Sequence, residues 1–255
     1  MLKQIVSIAL YTLLEALRNR LSWLVLVVAL LGIGLSGFLN ELALTESQQT
    51  QVALLAAFYR FAAAFLLATF VVTSMVREFN DKGLELLLSL SLPRAAYLLG
   101  KLAGFACLAV LPAILFGLLT LFFSSTEQSA LWTISLICEL WIVAAFSMLC
   151  VLSFNQIMAA LSATMGFYLL ARSINALQFI ATEAQLDSST SQQFMAMVMK
   201  GISAVIPHLD TFTKTEWLVY QTGHFSDLQN ILLQSLICIS LLLGAALFDL
   251  YRKNI

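Results

Sequence analysis

"REFNDKGLELLLSLSLPR" occupies residues 77–94. It gathers six charged residues, Arg77, Glu78, Asp81, Lys82, Glu85 and Arg94, around a run of leucines, and a long apolar stretch flanks it on each side. The fold turns on what this interruption is. In a soluble protein it is an ordinary surface loop. In a membrane protein it is the polar turn between two crossings. Composition chooses the second. Hydrophobic residues make up 61% of the 255 and charged residues 11%, against about 25% charged in an ordinary soluble domain. Too few polar side chains remain to cover a water-facing surface, so lipid is the solvent.

A crossing needs roughly 20 mainly apolar residues for a hydrocarbon core about 30 Å thick. Six segments qualify, near residues 21–39, 51–76, 98–123, 130–154, 157–180 and 228–251. Their apolar runs are continuous. A membrane β-barrel instead alternates apolar and polar over strands of about 10 residues, so helices are predicted. The expected fold class is all-α: one polytopic membrane domain over residues 1–255, with six transmembrane helices. Residues 2–20 place Lys3, Ser7, Tyr11, Glu15 and Arg18 at near-helical spacing, which predicts an amphipathic helix in the membrane interface. The charges there come late and no small-residue cleavage site follows, so the first crossing is expected to be retained.

Orientation follows from Lys and Arg. With the N-terminus inside, the inner segments hold Lys3, Arg18, Arg20, Arg77, Lys82, Arg94, Lys101, Arg252 and Lys253. The outer segments hold only Lys200 and Lys214. The opening stretch, as part of an inner segment over 77–97, therefore faces the cytoplasm. Between the fifth and sixth crossings lies a long outer segment, residues 181–227. It carries an apolar run too short to span, which ends at Pro207. Trp217 and Tyr220 beyond it are expected at headgroup level.

Within 77–94, Asp81 and Gly83 start a short helix. Leu84, Leu87 and Leu88 share one face at i, i+3, i+4, and Pro93 disfavours helix at Leu92. The outcome is a short helix lying across the membrane face, with an apolar ridge and few residues of its own chain to bury it against. Such a ridge fits the lipid interface or a groove on a partner.

The stretch resembles the cytoplasmic connection of type-2 ABC transporter permeases, the six-span exporter subunits. The residues that carry the likeness are Glu78, Lys82-Gly83, Glu85, Leu87-Leu88, the turn Ser91-Leu92-Pro93-Arg94, Tyr97 and Gly100-Lys101. "IPHLDTF", residues 206–212, is similar to the family's outer segment. Leu84 departs from the usual Thr, and the turn itself is unusual. The resemblance implies that 77–97 is a coupling segment docked on a separate ATPase. Glu78, Glu85 and Arg94 would be its charge contacts, and Leu84, Leu87 and Leu88 its apolar insert. It further implies two copies of an ABC ATPase subunit, and a second permease chain forming a homo- or heterodimer. ATP and Mg would be bound by the ATPase and no cofactor by this chain. A bacterial inner membrane, with both termini cytoplasmic, is part of the same expectation. The chain itself has no G-x-x-x-x-G-K-[ST] sequence with which to cradle phosphates.

Arg60, Glu139 and Arg172 lie inside predicted crossings. Each sits about 12–15 Å from the outer end of its helix at 1.5 Å per residue. A charge at such depth costs roughly 2.5–3.5 kcal/mol on insertion scales, so Glu139 is expected to pair with Arg60 or Arg172. The pair would be an internal staple or would line a substrate path. Cys107, Cys138, Cys150 and Cys238 all fall in apolar runs and read as small buried residues. No basic surface for nucleic acid, zinc-protease motif or nucleophile elbow occurs. That leaves a transport subunit in front. Behind it stand a non-transporting mechanotransmission or scaffold subunit and an intramembrane enzyme.

Overall fold

The computed structural model describes residues 2–19, 21–42, 47–80, 93–183, 201 and 206–252. Among these residues the structure is helical and holds no strand. The elements are α1 (Leu2–Arg18), α2 (Leu21–Leu42), α3 (Ser47–Asn80), α4 (Arg94–Thr120), α5 (Thr126–Phe154), α6 (Ile157–Glu183), a 3-10 turn (Leu209–Thr211), α7 (Thr215–Tyr220) and α8 (Phe225–Arg252). Five helices are each long and apolar enough to cross a membrane: α3, α4, α5, α6 and α8. α1 and α2 meet at a 55° bend and reach that length and hydropathy only as a pair, which gives five crossings, or six if the bent pair is counted as one. The protein is thus an all-α polytopic membrane protein.

α5 is the axis of the bundle. Leu131, Trp132, Leu136, Leu140, Val143, Ala144 and Val151 are buried around it, and α3, α4, α6 and α8 pack against it. α8 is the opposite case. It exposes Leu232, Leu236, Ile237, Leu241 and Phe248. On a soluble protein such a face would signal a binding site; on a membrane helix it is the kind of surface that lipid can cover. The tight α5–α6 turn ends α5 with Asn155 in the left-handed conformation, at φ 54°, a role for which Asn is suited.

Lipid tails are as apolar as leucine, so helices in a membrane associate through close packing and polar contacts instead. Both devices occur here. Trp141 Nε1 donates to the Ala106 carbonyl at 3.0 Å, tying α5 to α4. Gln51 Nε2 donates to the Ser36 carbonyl at 2.8 Å, tying α3 to α2. α1 lies along α4 over Gly100 and Gly104, a G-x-x-x-G pair. A Cβ at Gly104 would stand 2.7 Å from Thr12 Cβ and 3.0 Å from the Ala9 carbonyl oxygen, and one at Gly100 2.8 Å from Ile8 Cβ. Backbone cannot withdraw as a side-chain tip can. Gly104→Leu is therefore expected to unseat α1 from α4, read as faster proteolysis between Leu10 and Leu21 while α3 to α8 stay protected.

Of the two aromatics expected at headgroup level, Trp217 packs against protein at 2% exposure, while Tyr220 is 62% exposed. The reason is that α7 folds back onto the bundle, against α3 and α5. Gly223 makes the return possible. Its N–H donates to Gln128 Oε1 and its carbonyl accepts from Gln128 Nε2, both at 3.0 Å. A Cβ there would lie 2.5 Å from that Gln128 oxygen. The apolar run of the outer segment ahead of Ile206 lies outside the described residues.

Candidate functional site: two polar networks in an apolar bundle

The outer network is centred on Thr213. The chain enters it through Pro207 and the 3-10 turn, which buries Leu209 and Phe212 completely. Thr213 is also completely buried, and its φ is +42°. That is an uncommon conformation for a β-branched residue. It persists only where surrounding contacts over-determine it, and here each of its polar atoms is held. The Thr213 N–H donates to Ser135 Oγ at 2.8 Å. Its hydroxyl donates to Glu139 Oε2 at 2.5 Å and accepts from Arg172 Nη1 at 3.1 Å. Its carbonyl accepts from Arg60 Nη1 at 3.0 Å and Arg172 Nη2 at 3.4 Å.

The three intramembrane charges thus meet at one residue. Arg172 Nη1 lies 3.5 Å from Glu139 Oε1, and Glu139 is fully buried. Tyr168 donates its hydroxyl to the same carboxylate oxygen at 2.9 Å. Ser135 and Glu139 on α5, and Tyr168 and Arg172 on α6, are each spaced i, i+4, which stacks them on one face of their helix. Arg172 also reaches the carbonyls of Leu209 at 2.7 Å and Phe212 at 3.1 Å. Arg60 reaches the network through the Thr213 carbonyl. The arrangement ties α3, α5 and α6 to the outer segment. It pairs the buried carboxylate with the Arg172 guanidinium and gives Arg60 a backbone carbonyl, where each charge alone would be costly.

Sequence reasoning missed Thr213. One signal pointed towards it: a guanidinium has five N–H donors, more than a shared carboxylate can accept. Carbonyls from irregular backbone were therefore needed at that depth, and the outer segment is where irregular backbone can supply them.

The inner network lies at the other end of the bundle. Lys101 on α4 is nearly buried, and its Nζ sits 2.5 Å from Glu78 Oε2 on α3 and 3.9 Å from Glu15 Oε2 on α1. Glu15 also pairs with Arg77 and accepts from Ser74 Oγ at 3.0 Å. Three helices therefore share one cluster with two carboxylates, one ammonium and one guanidinium. Arg94, at the start of α4, donates Nη1 to the Leu250 carbonyl at 2.9 Å and lies 6.0 Å from the Tyr251 ring centroid. The last carbonyls of a helix have no partner within it, and a cation is favoured at that end, so Arg94 caps α8.

Of the residues expected to contact an ATPase, Glu78 and Arg94 thus also brace this chain internally. Leu84, Glu85, Leu87 and Leu88 lie outside the described residues. Asn80 and Pro93 bound that connection, and both its flanks are pinned by the contacts just given. A family model described as "ABC-2 family transporter protein" matches residues 7–207. No curated protein matches the chain.

Proposed function

The chain belongs to the ABC-2 family of transporter proteins, and from that premise we propose that it is the permease of an ATP-driven exporter, moved by a separate ATPase through the connection between α3 and α4. It is a multi-pass membrane subunit of an ABC transporter. Two ATPase copies, binding ATP and Mg, would act on two permease chains, this one and an identical or related partner. The setting would be a bacterial inner membrane with both termini in the cytoplasm.

One observation supports the coupling reading above others. The connection leaves and re-enters the bundle at braced points. Glu78–Lys101 locks the end of α3 to α4, Glu15 adds α1, and Arg94 adds the end of α8. A load on residues 81–92 would therefore pass to four helices together and not be lost in a slack loop. A lever needs this stiffness, whereas a loop that merely remains hydrated does not. The leucine ridge Leu84, Leu87 and Leu88 would supply the insert, with Glu85 as a rim charge.

The test is Glu85→Lys. Charge reversal at a rim acts on encounter and register. The variant is expected to insert normally and to lose co-purification of the ATPase or ATP-driven transport. A fully coupled variant would remove Glu85 from the contact. A non-transporting force-transmitting subunit would have the same connection. Substrate movement by vesicles containing the cognate ATPase separates the two readings.

A further inference from the structure

Two cavities open beside the inner end of α1, and Asn19 and Arg77 line both. The first, about 550 Å³, lies between α1 and α3 and is lined also by Tyr11, Leu14, Glu15 and Arg18. The second, about 380 Å³, continues past Thr73 and Asn80 to Ile157 at the start of α6. Together they form a cleft at the level where α3 ends and α6 begins, which the charge distribution places at the cytoplasmic face.

The charges around the cleft do not cancel. Glu15 and Glu78 are matched by Arg77 and Lys101. Arg18, exposed in the last turn of α1, has no ion-pair partner among the described residues. Among the described residues one positive charge is thus in surplus, with the Asn19 amide and the Tyr11 phenol lining the same cavity and the Asn80 amide the next. The flank of α1 beside the cleft is apolar: Leu10 and Leu14 are 55% and 53% exposed. Trp23, 65% exposed, follows just beyond the bend. A cationic cleft with hydrogen-bonding amides and an apolar flank, at the membrane surface, matches an amphiphile with an anionic head.

We propose that this cleft binds the phosphate of an anionic phospholipid from the inner leaflet. Arg18 is the principal cation and Arg77 the second, since Arg77 is already shared with Glu15. Leu14 carries the first part of an acyl chain. Basic residues beside a membrane helix are drawn to anionic lipid in general. What distinguishes this site is an open cleft whose volume lies in the range of small-ligand pockets.

The test needs neither an ATPase nor a substrate, so its outcome is independent of the transport reading. The full chain is reconstituted in phosphatidylcholine vesicles, with brominated phosphatidylglycerol or brominated phosphatidylcholine at equal mole fraction, and tryptophan quenching is read. Trp23 is the exposed reporter; Trp132 and Trp217 are buried, and the half-buried Trp141 is replaced by Phe in every variant so that Trp23 carries the signal. The anionic lipid is expected to quench several-fold more strongly. Arg18→Gln removes that preference and Arg18→Lys restores most of it. Lys3→Gln, an exposed cation of the same helix outside the cleft, leaves it unchanged. If Lys3→Gln and Arg18→Gln weaken the preference alike, diffuse surface charge explains it and the site is overturned. Equal quenching by both lipids also overturns it. Relief of quenching by excess inorganic phosphate assigns the cleft to a free anion, and the lipid proposal falls.

Discussion

Glu139→Ala is expected to destabilise the protein by about 3–5 kcal/mol, the range for removing one partner of a buried ion pair. The carboxylate is fully buried and is the group that Arg172, Tyr168 and the Thr213 hydroxyl all address. Without it, two guanidiniums face each other across Thr213 with carbonyl and hydroxyl oxygens alone. Glu139→Gln keeps the shape and one acceptor oxygen. It is expected to cost less, about 1–3 kcal/mol, the penalty for imperfectly satisfied buried polar groups. The check is thermal unfolding of the purified chain, with hydrogen exchange read by segment. Glu139→Ala should release residues 206–214 and the outer turns of α3, α5 and α6 first, while the contacts of Lys101 stay protected. An unchanged melting midpoint for Glu139→Ala would mean that the ion pair does not hold the outer segment, and the whole account of that network would fail.

That network marks where sequence reading succeeds and where it stops. Lipid as solvent and helices as elements follow from composition and run length, because backbone groups in hydrocarbon must be satisfied within the segment. The depth of Arg60, Glu139 and Arg172 follows from counting along a helix of fixed rise. Which of the two arginines takes Glu139 does not, since that depends on how α3 and α6 turn about α5. The geometry puts Arg172 on the carboxylate and gives Arg60 the Thr213 carbonyl. Thr213 itself was beyond reach. It is uncharged, and it stands 74 positions from Glu139. Its importance comes from a backbone conformation that no local pattern announces. The burial of Trp217 was out of reach for a related reason: that its ring is covered by protein follows only from the return of the outer segment over the bundle.

At the inner end, the residues were legible and their dual use was not. Glu78 and Arg94 stand out as charges beside a polar connection, and a charge there reads as facing water or a partner. Their contacts with Lys101 and with the end of α8 depend on which helix ends converge. The G-x-x-x-G pair carries the same lesson. Gly100 and Lys101 drew attention as a motif. Gly104, one turn on, is what lets α1 approach closely enough for Glu15 to reach the Lys101 cluster.

Lys101→Met is expected to separate ATP turnover from transport. Methionine keeps the length and apolar body of the lysine, so the packing of α4 against α1 should survive. What it removes is the charge that joins Glu78 to Glu15. The two carboxylates would then share Arg77, which is more than half exposed and tethers only weakly at that exposure. A stability loss of about 1–3 kcal/mol is expected, that of a partly buried charged hydrogen bond. The functional loss should be larger in proportion, because the end of α3 would no longer be locked to α4. In vesicles with the cognate ATPase, ATP hydrolysis should continue while substrate movement per ATP falls several-fold. The charge swap Lys101→Glu with Glu78→Lys should recover part of the coupling, since it restores the pair with its polarity reversed, although Glu15 then faces a like charge. If Lys101→Met lowers hydrolysis and transport in equal proportion, the cluster is a structural brace alone and has no part in the proposed coupling.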